Sequence, residues 1–283
     1  MKPVFYGMLV VLATSLMGSS FAVGKLGLSY FSPLLLVGLR FTIAGLLMAL
    51  WVRKRLPVST DDWIKVFLVG FFQTAAVMGC IFLSLRTISA GESSILTFVN
   101  PLLVVLLGTW FLGMRYRFYQ WIGVVIGFLG VVVTLGFHLQ LKTGTLLGLG
   151  SALSWAIATI LVKKWGARFE IWVLTSYQML FGGLLLLVMG VTLESPKIII
   201  NTASVSIVLY LAIMSSIVQF ATWYYLLSQG EPGKTSAFLF LAPFFGVLSG
   251  WVILGEVVQW FVYLGGFFII IGIFLVNWTS SSK

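Results

Sequence analysis

A chain of 283 residues that is 60% hydrophobic and 8% charged excludes a water-soluble globule, because so few polar side chains cannot cover its surface. One cysteine rules out an intrachain disulfide, and with a single histidine the chain offers no cluster for a metal centre. The net charge of +10 comes from basic residues in short loops with no soluble domain behind them, so it signals membrane topology and argues against a nucleic-acid partner.

Apolar runs of about 20 residues, each long enough to cross a hydrocarbon core of about 30 Å, predict an all-α integral membrane protein with ten transmembrane helices. In chain order they lie near residues 4–24, 32–52, 64–85, 90–112, 118–137, 144–163, 171–192, 205–228, 233–255 and 259–278. The first run, with Lys2 before it and Gly18-Ser19-Ser20 near its end, has the look of a signal peptide. However, Ala13–Lys25 lines up with Ala152–Lys164, so it is kept as a span.

The second run carries Arg40, about eight residues or roughly 12 Å from its outer end. An arginine in mid-span costs about 3 kcal/mol on insertion scales, so it needs a partner or a task. Either it holds a substrate carboxylate, or it snorkels outward or pairs with Glu92, which begins the fourth run on the same side. Helical spacing sets Gln73, Cys80 and Ser84 on one face of the third run, and Ser93, Thr97 and Asn100 on one face of the fourth. Ser215, Gln219 and Thr222 share a face of the eighth.

Trp155 in the sixth run offers an aromatic wall, and Gln178 in the seventh is the counterpart of Arg40. These residues outline a neutral, hydrogen-bonding cavity, although each alone reads equally as an interhelical contact. Pro101 and Pro243 predict kinks that weaken the bonds of Thr97 and Leu239, and thereby place the fourth and ninth helices beside a substrate path or a packing contact. The pairs Gly123/Gly127, Gly144/Gly148 and Gly246/Gly250 predict close helix packing, within a monomer or across a homodimer.

With ten spans threaded from a cytoplasmic N-terminus, twelve lysines and arginines fall on the inner ends and four on the outer, Lys25, Arg86, Lys142 and Lys197. That bias predicts both termini in the cytoplasm. Residues 91–130 recur in register at 233–272, where Gly91, Ser94, Phe98, Pro101, Gly108 and Gly113 meet the identical residue 142 positions later. The chain therefore divides into repeats at 1–138 and 139–283. Each holds five spans, and since five is odd the halves are expected to be inverted, as in alternating-access carriers. Catalytic chemistry has little to work with: no aspartate lies inside a span, and the one histidine, His138, ends the fifth.

The stretch Gly233–Glu256, echoed by Gly91–Gly113, resembles the signature of the EamA family of the drug/metabolite transporter superfamily; Leu39-Arg40-Phe41 and Ala152-Leu-Ser-Trp155-Ala are similar to its pattern elsewhere. The resemblance covers essentially the whole chain and implies a metabolite carrier, commonly an exporter of amino acids or related molecules, with a central cavity and no cofactor. In one departure, the fourth helix ends Gly113-Met114 where the family often has Leu-Gly-Glu, so that glutamate survives only as Glu256. The expected function is movement of a small polar or zwitterionic solute across the cytoplasmic membrane, by a facilitator since mid-depth holds no acid to carry protons. A lipid-linked flippase subunit and a non-transporting scaffold are the alternatives.

Overall fold

In a hydrocarbon layer the backbone must satisfy its own hydrogen bonds, and this chain does so with helices. The computed structural model describes residues 3–52, 56–57, 59–134, 142–229 and 238–277. Seven helices are long and apolar enough to cross a membrane: α1 (Pro3–Gly27), α2 (Pro33–Val52), α3 (Thr60–Ser84), α4 (Ala90–Phe111), α6 (Thr143–Trp165), α7 (Ile171–Leu193) and α8 (Thr202–Trp223). Three apolar helices are shorter: α5 (Phe118–Thr134), α9 (Leu241–Leu254) and α10 (Trp260–Asn277). The ends of the predicted fifth and ninth spans, with His138, lie outside the described residues. Among those described there is no strand, only an isolated antiparallel bridge between Phe31 and Ile198. It ties the α1–α2 connection to the α7–α8 connection.

Small residues decide which helices touch. A Cβ on Gly45 of α2 would lie 2.5 Å from the backbone nitrogen of Leu180 in α7, and one on Gly183 of α7 would lie 2.5 Å from that of Thr42. α5 meets α10 in the same way, since a Cβ on Gly130 would lie 2.6 Å from the carbonyl oxygen of Gly265. α1 meets α9 at Gly18, and α4 lies against α6 and α9. The glycine pairs singled out in the sequence are thus occupied by contacts within the chain. Two apolar clusters fill the interior, one around Phe41, Phe82, Met179 and Leu186, the other around Leu102, Val105, Ile269 and Ile273.

Besides a 3-10 turn at Gly166–Arg168 in the connection after α6, four helical segments among the described residues depart from regular α geometry. α3 widens into a π-helix over Phe71–Ala76, and α8 does so over Tyr210–Val218. α4 breaks after Thr97 and restarts at Asn100, and a 3-10 turn at Phe238–Phe240 precedes α9. The two prolines therefore do not kink continuous helices. Pro101 sits in the first turn after the break and Pro243 is the third residue of α9, positions where a missing N–H leaves no carbonyl waiting for it.

Gly183→Val is expected to lower the unfolding midpoint of the detergent-solubilised protein, with a loss of roughly 1–3 kcal/mol from forced separation of α2 and α7. Gly7→Ala, where an added Cβ meets nothing within 4 Å, is expected to leave it unchanged. Thermal unfolding followed by circular dichroism measures both.

Candidate functional site

Arg40 is 3% exposed and points from α2 toward the π segment of α8. Its Nε donates to Ser216 Oγ at 2.9 Å and its Nη2 to the Ser215 carbonyl oxygen at 2.7 Å. The guanidinium carbon also stands 4.6 Å from the centre of the Phe41 ring. Ser216 Oγ passes its own proton to the carbonyl of Leu211, five residues earlier, which is the spacing of a π turn. The expected pairing with Glu92 does not form. Glu92 lies in the first turn of α4, where its carboxylate accepts from Thr145 Oγ1 at 3.4 Å. The widened α8 brings a carbonyl and a hydroxyl to Arg40 deep in the bundle, while Glu92 stays at the end of its helix.

Arg40, Gln73, Trp155 and Gln219 meet around a chamber of about 50 Å³, together with Ser215 and Thr97. Phe21, Phe82, Phe98 and Phe220 supply most of its wall. Trp155 meets Phe98 edge-on, with ring centres 5.4 Å apart. A second chamber of about 330 Å³ shares Gln73, Trp155, Gln219 and Phe220 with the first and adds Gln178, Thr159 and Thr175. Asn100 is buried beyond the α4 break and lines neither chamber. Two polar atoms at the small chamber, Ser215 Oγ and Gln219 Nε2, are buried with no hydrogen-bond partner, a state that costs about 1–3 kcal/mol each.

The larger chamber runs toward Val162 and Ile171, where α6 ends and α7 begins. At the opposite end of the bundle a set of polar contacts joins three segments. Lys25, in the last turn of α1, donates to Glu256 Oε1 at 2.6 Å and to the carbonyl of Ile88 at 2.9 Å. Glu256 Oε2 in turn accepts the backbone N–H of Ala90 at the start of α4 at 2.9 Å, where the helix dipole favours a carboxylate. Gly255 (φ 64°) turns the chain so that Glu256 N–H bonds the Gly250 carbonyl.

Gly113 (φ 61°) makes the same turn at the other end of the bundle, but the next residue is Met114. Its sulfur receives Lys163 Nζ at 3.0 Å and the hydroxyl of Tyr116 at 3.5 Å. Burial raises the pKa of the Tyr116 phenol.

Ser216 and the Lys25–Glu256 pair were not anticipated from sequence. The first became relevant only through the π turn, whereas the second was signalled by the basic residue ending the first run and the acid after Gly255.

A family description, the EamA-like transporter family, matches residues 5–136 and again 142–278. The chain belongs to that family. This EamA transporter chain is 28% identical over 274 residues to YvbV of Bacillus subtilis (strain 168), an uncharacterized transporter; the match covers 94% of the chain and 89% of the relative. It is 26% identical to a probable amino-acid metabolite efflux pump of Escherichia coli (strain K12), over 98% of the chain and 97% of that protein. A crystal structure aligns over 95% of the chain and 96% of its own length with a TM-score of 0.65 at 22% identity, a likeness in fold.

Removing the carboxylate with Glu256→Gln is expected to open the Lys25 end. In a Cys80→Ala, Ser20→Cys background, labelling by a membrane-impermeant thiol reagent added on that side should rise roughly tenfold, the scale of one charge-assisted hydrogen bond. An unchanged rate would show that the pair does not hold this end shut.

Proposed function

We propose that this EamA-family transporter carries a small polar or zwitterionic metabolite, an amino acid or related compound, across the cytoplasmic membrane by alternating access, as an exporter or facilitator. The observation that carries this reading is a buried chamber bearing Arg40, Gln73, Ser215 and Gln219, joined to a larger one that runs toward one end of the bundle, with the Lys25–Glu256 pair at the other end. The solute is suggested by the names of two relatives, the probable amino-acid metabolite efflux pumps of Escherichia coli and Salmonella typhimurium.

Ten spans and inverted halves at 1–138 and 139–283 belong to the same proposal. Their support is the way helices pair, α2 with α7 and α5 with α10, each with the helix five places on. The π segments fall likewise in the third and eighth helices, and the left-handed glycines 113 and 255 are 142 residues apart. Both termini are assigned to the cytoplasm on the twelve-to-four distribution of basic residues. The Lys25 end then faces outward and the chambers open inward.

No carboxylate lines either chamber among the described residues, which favours movement down the solute gradient over proton exchange. Gln73, Trp155 and Gln219 border both chambers and would contact a solute throughout its passage between them.

Proteoliposomes containing the purified protein and loaded with labelled amino acids and related metabolites should show saturable flux of at least one compound without a pH gradient. Arg40→Ala should abolish it while the melting curve remains cooperative. Flux that requires a proton gradient and disappears in Glu92→Gln would replace the facilitator with a proton-coupled carrier, and absence of flux for every compound would end the metabolite reading.

The Met114 end generates a separate expectation. Lys163 already meets the Met114 sulfur at 3.0 Å in this state, so Met114→Glu gives it the carboxylate partner that Lys25 has and should raise the unfolding midpoint of the detergent-solubilised protein by the scale of an exposed ion pair, about 0.5–1 kcal/mol, as followed by circular dichroism.

A further inference from the structure

The small chamber holds a buried cation that nothing in its lining neutralises. Arg40 spends one N–H on a hydroxyl, one on a carbonyl, and lies against a phenyl ring, all of them uncharged. Among the described residues no aspartate or glutamate borders this chamber or the one it joins. A guanidinium has five N–H donors in a fixed fork, so Arg40 keeps donors beyond the two engaged. Gln219 Nε2 is a donor without a partner at the same chamber, and the Ser215 hydroxyl is another. A charge of +1 surrounded by unused donors calls for an acceptor-only anion, and the planar fork fits a carboxylate with two parallel bonds.

Most of the remaining wall is apolar, and its other polar groups, Gln73 and Thr97 in the small chamber and Gln178, Thr159 and Thr175 in the larger, are uncharged. Phe21, Phe82, Phe98 and Phe220 line the small chamber, and Trp155 continues into the larger one beside Leu174 and Trp223. They offer a ligand body dispersion and ring contacts, with no anion for an ammonium group. A monoanion that enters cancels the charge of Arg40. A zwitterion of the same skeleton also cancels it, but leaves its own cation buried without a counter-ion, which carries a desolvation penalty.

We propose that the solute docks by a carboxylate on Arg40, Ser215 and Gln219, and that the chamber selects apolar monocarboxylates over the zwitterions of the same carbon skeleton. The proposal rests on the reading of the chain as a metabolite carrier and moves its solute class from amino acids to carboxylates that lack the ammonium group.

Three probes share one skeleton and differ only in charge: 3-phenylpropanoate, phenylalanine and 2-phenylethylamine. Titration calorimetry on the purified full chain in detergent should find 3-phenylpropanoate bound roughly tenfold more tightly than phenylalanine, and no heat from the amine. Gln219→Leu keeps the side chain's volume and removes its donor, and Ser215→Ala removes the hydroxyl alone. Each should weaken 3-phenylpropanoate severalfold with the melting temperature unchanged, so the test does not depend on an Arg40 variant folding.

Equal or tighter binding of phenylalanine, binding of the amine, unaltered affinity in both variants, or no binding of any probe would overturn the proposal. The liposome flux panel separates the two levels. Flux of other solutes with none of these probes bound leaves the carrier and removes the carboxylate class, whereas selective binding with no flux keeps the pocket and removes the carrier.

Discussion

An unpaired backbone amide in hydrocarbon costs several kcal/mol, so a membrane helix is free to be irregular only where protein or a water-filled cavity covers it. Apart from the 3-10 turn at Gly166–Arg168 in a connection between helices, the departures from α geometry among the described residues obey that constraint. The π turn of α3 contains Gln73, that of α8 contains Ser215, the break in α4 follows Thr97 at Phe98, and the 3-10 turn before α9 contains Leu239. Each of those residues lines one of the two chambers. The irregular backbone and the polar cavity are therefore one feature: relaxing the helical ladder frees carbonyls and turns side chains inward, and the chamber provides the cover that makes this tolerable.

Arg40 shows how the constraint serves recognition. The π segment of α8 places the Ser215 carbonyl 2.7 Å from the guanidinium and Ser216 Oγ beside it. These neutral partners hold the side chain's orientation without discharging it. An arginine already paired with a carboxylate would have little left for a ligand, while one with no partner would snorkel toward water. Gln178 borders the larger chamber, so α2 and α7 contribute a cation and an amide at different points of the joined chambers.

Much of this was legible in the sequence, and the failures share a cause. Apolar runs located the described helices in order; polar faces picked out Gln73 and Gln219, an aromatic in mid-span Trp155, and the alignment with Arg40 Gln178, and all four border a chamber. Helical spacing also nominated Asn100, yet the break at Phe98 and Val99 interrupts the face that Ser93 and Thr97 share, and Asn100 falls outside. The 3.6-residue period that links positions on one face fails wherever a turn is widened or broken. A π turn inserts one residue into the register without a proline to announce it, so Ser216 could not be paired with Arg40 from spacing alone. Pro101 was correctly taken as a disturbance, but a proline marks both kinks and helix starts, and only the backbone of Phe98–Asn100 distinguishes them.

The two ends of the bundle carry the same local device with different chemistry. Gly113 and Gly255 stop their helices in the left-handed conformation and bring the next backbone N–H to the carbonyl five residues before the glycine, Gly108 or Gly250. After Gly255 that residue is Glu256, whose carboxylate joins a lysine and a helix N-terminus across three segments; after Gly113 it is Met114, whose sulfur offers Lys163 only a weak acceptor. Both contacts are made in this state of the bundle, so the two ends differ in how firmly they tie their segments together, the Lys25 end being the stronger. That tie is still modest, because Lys25 keeps 30% of its side-chain surface in water, and under the proposed alternating access this suits a contact that is released in every cycle.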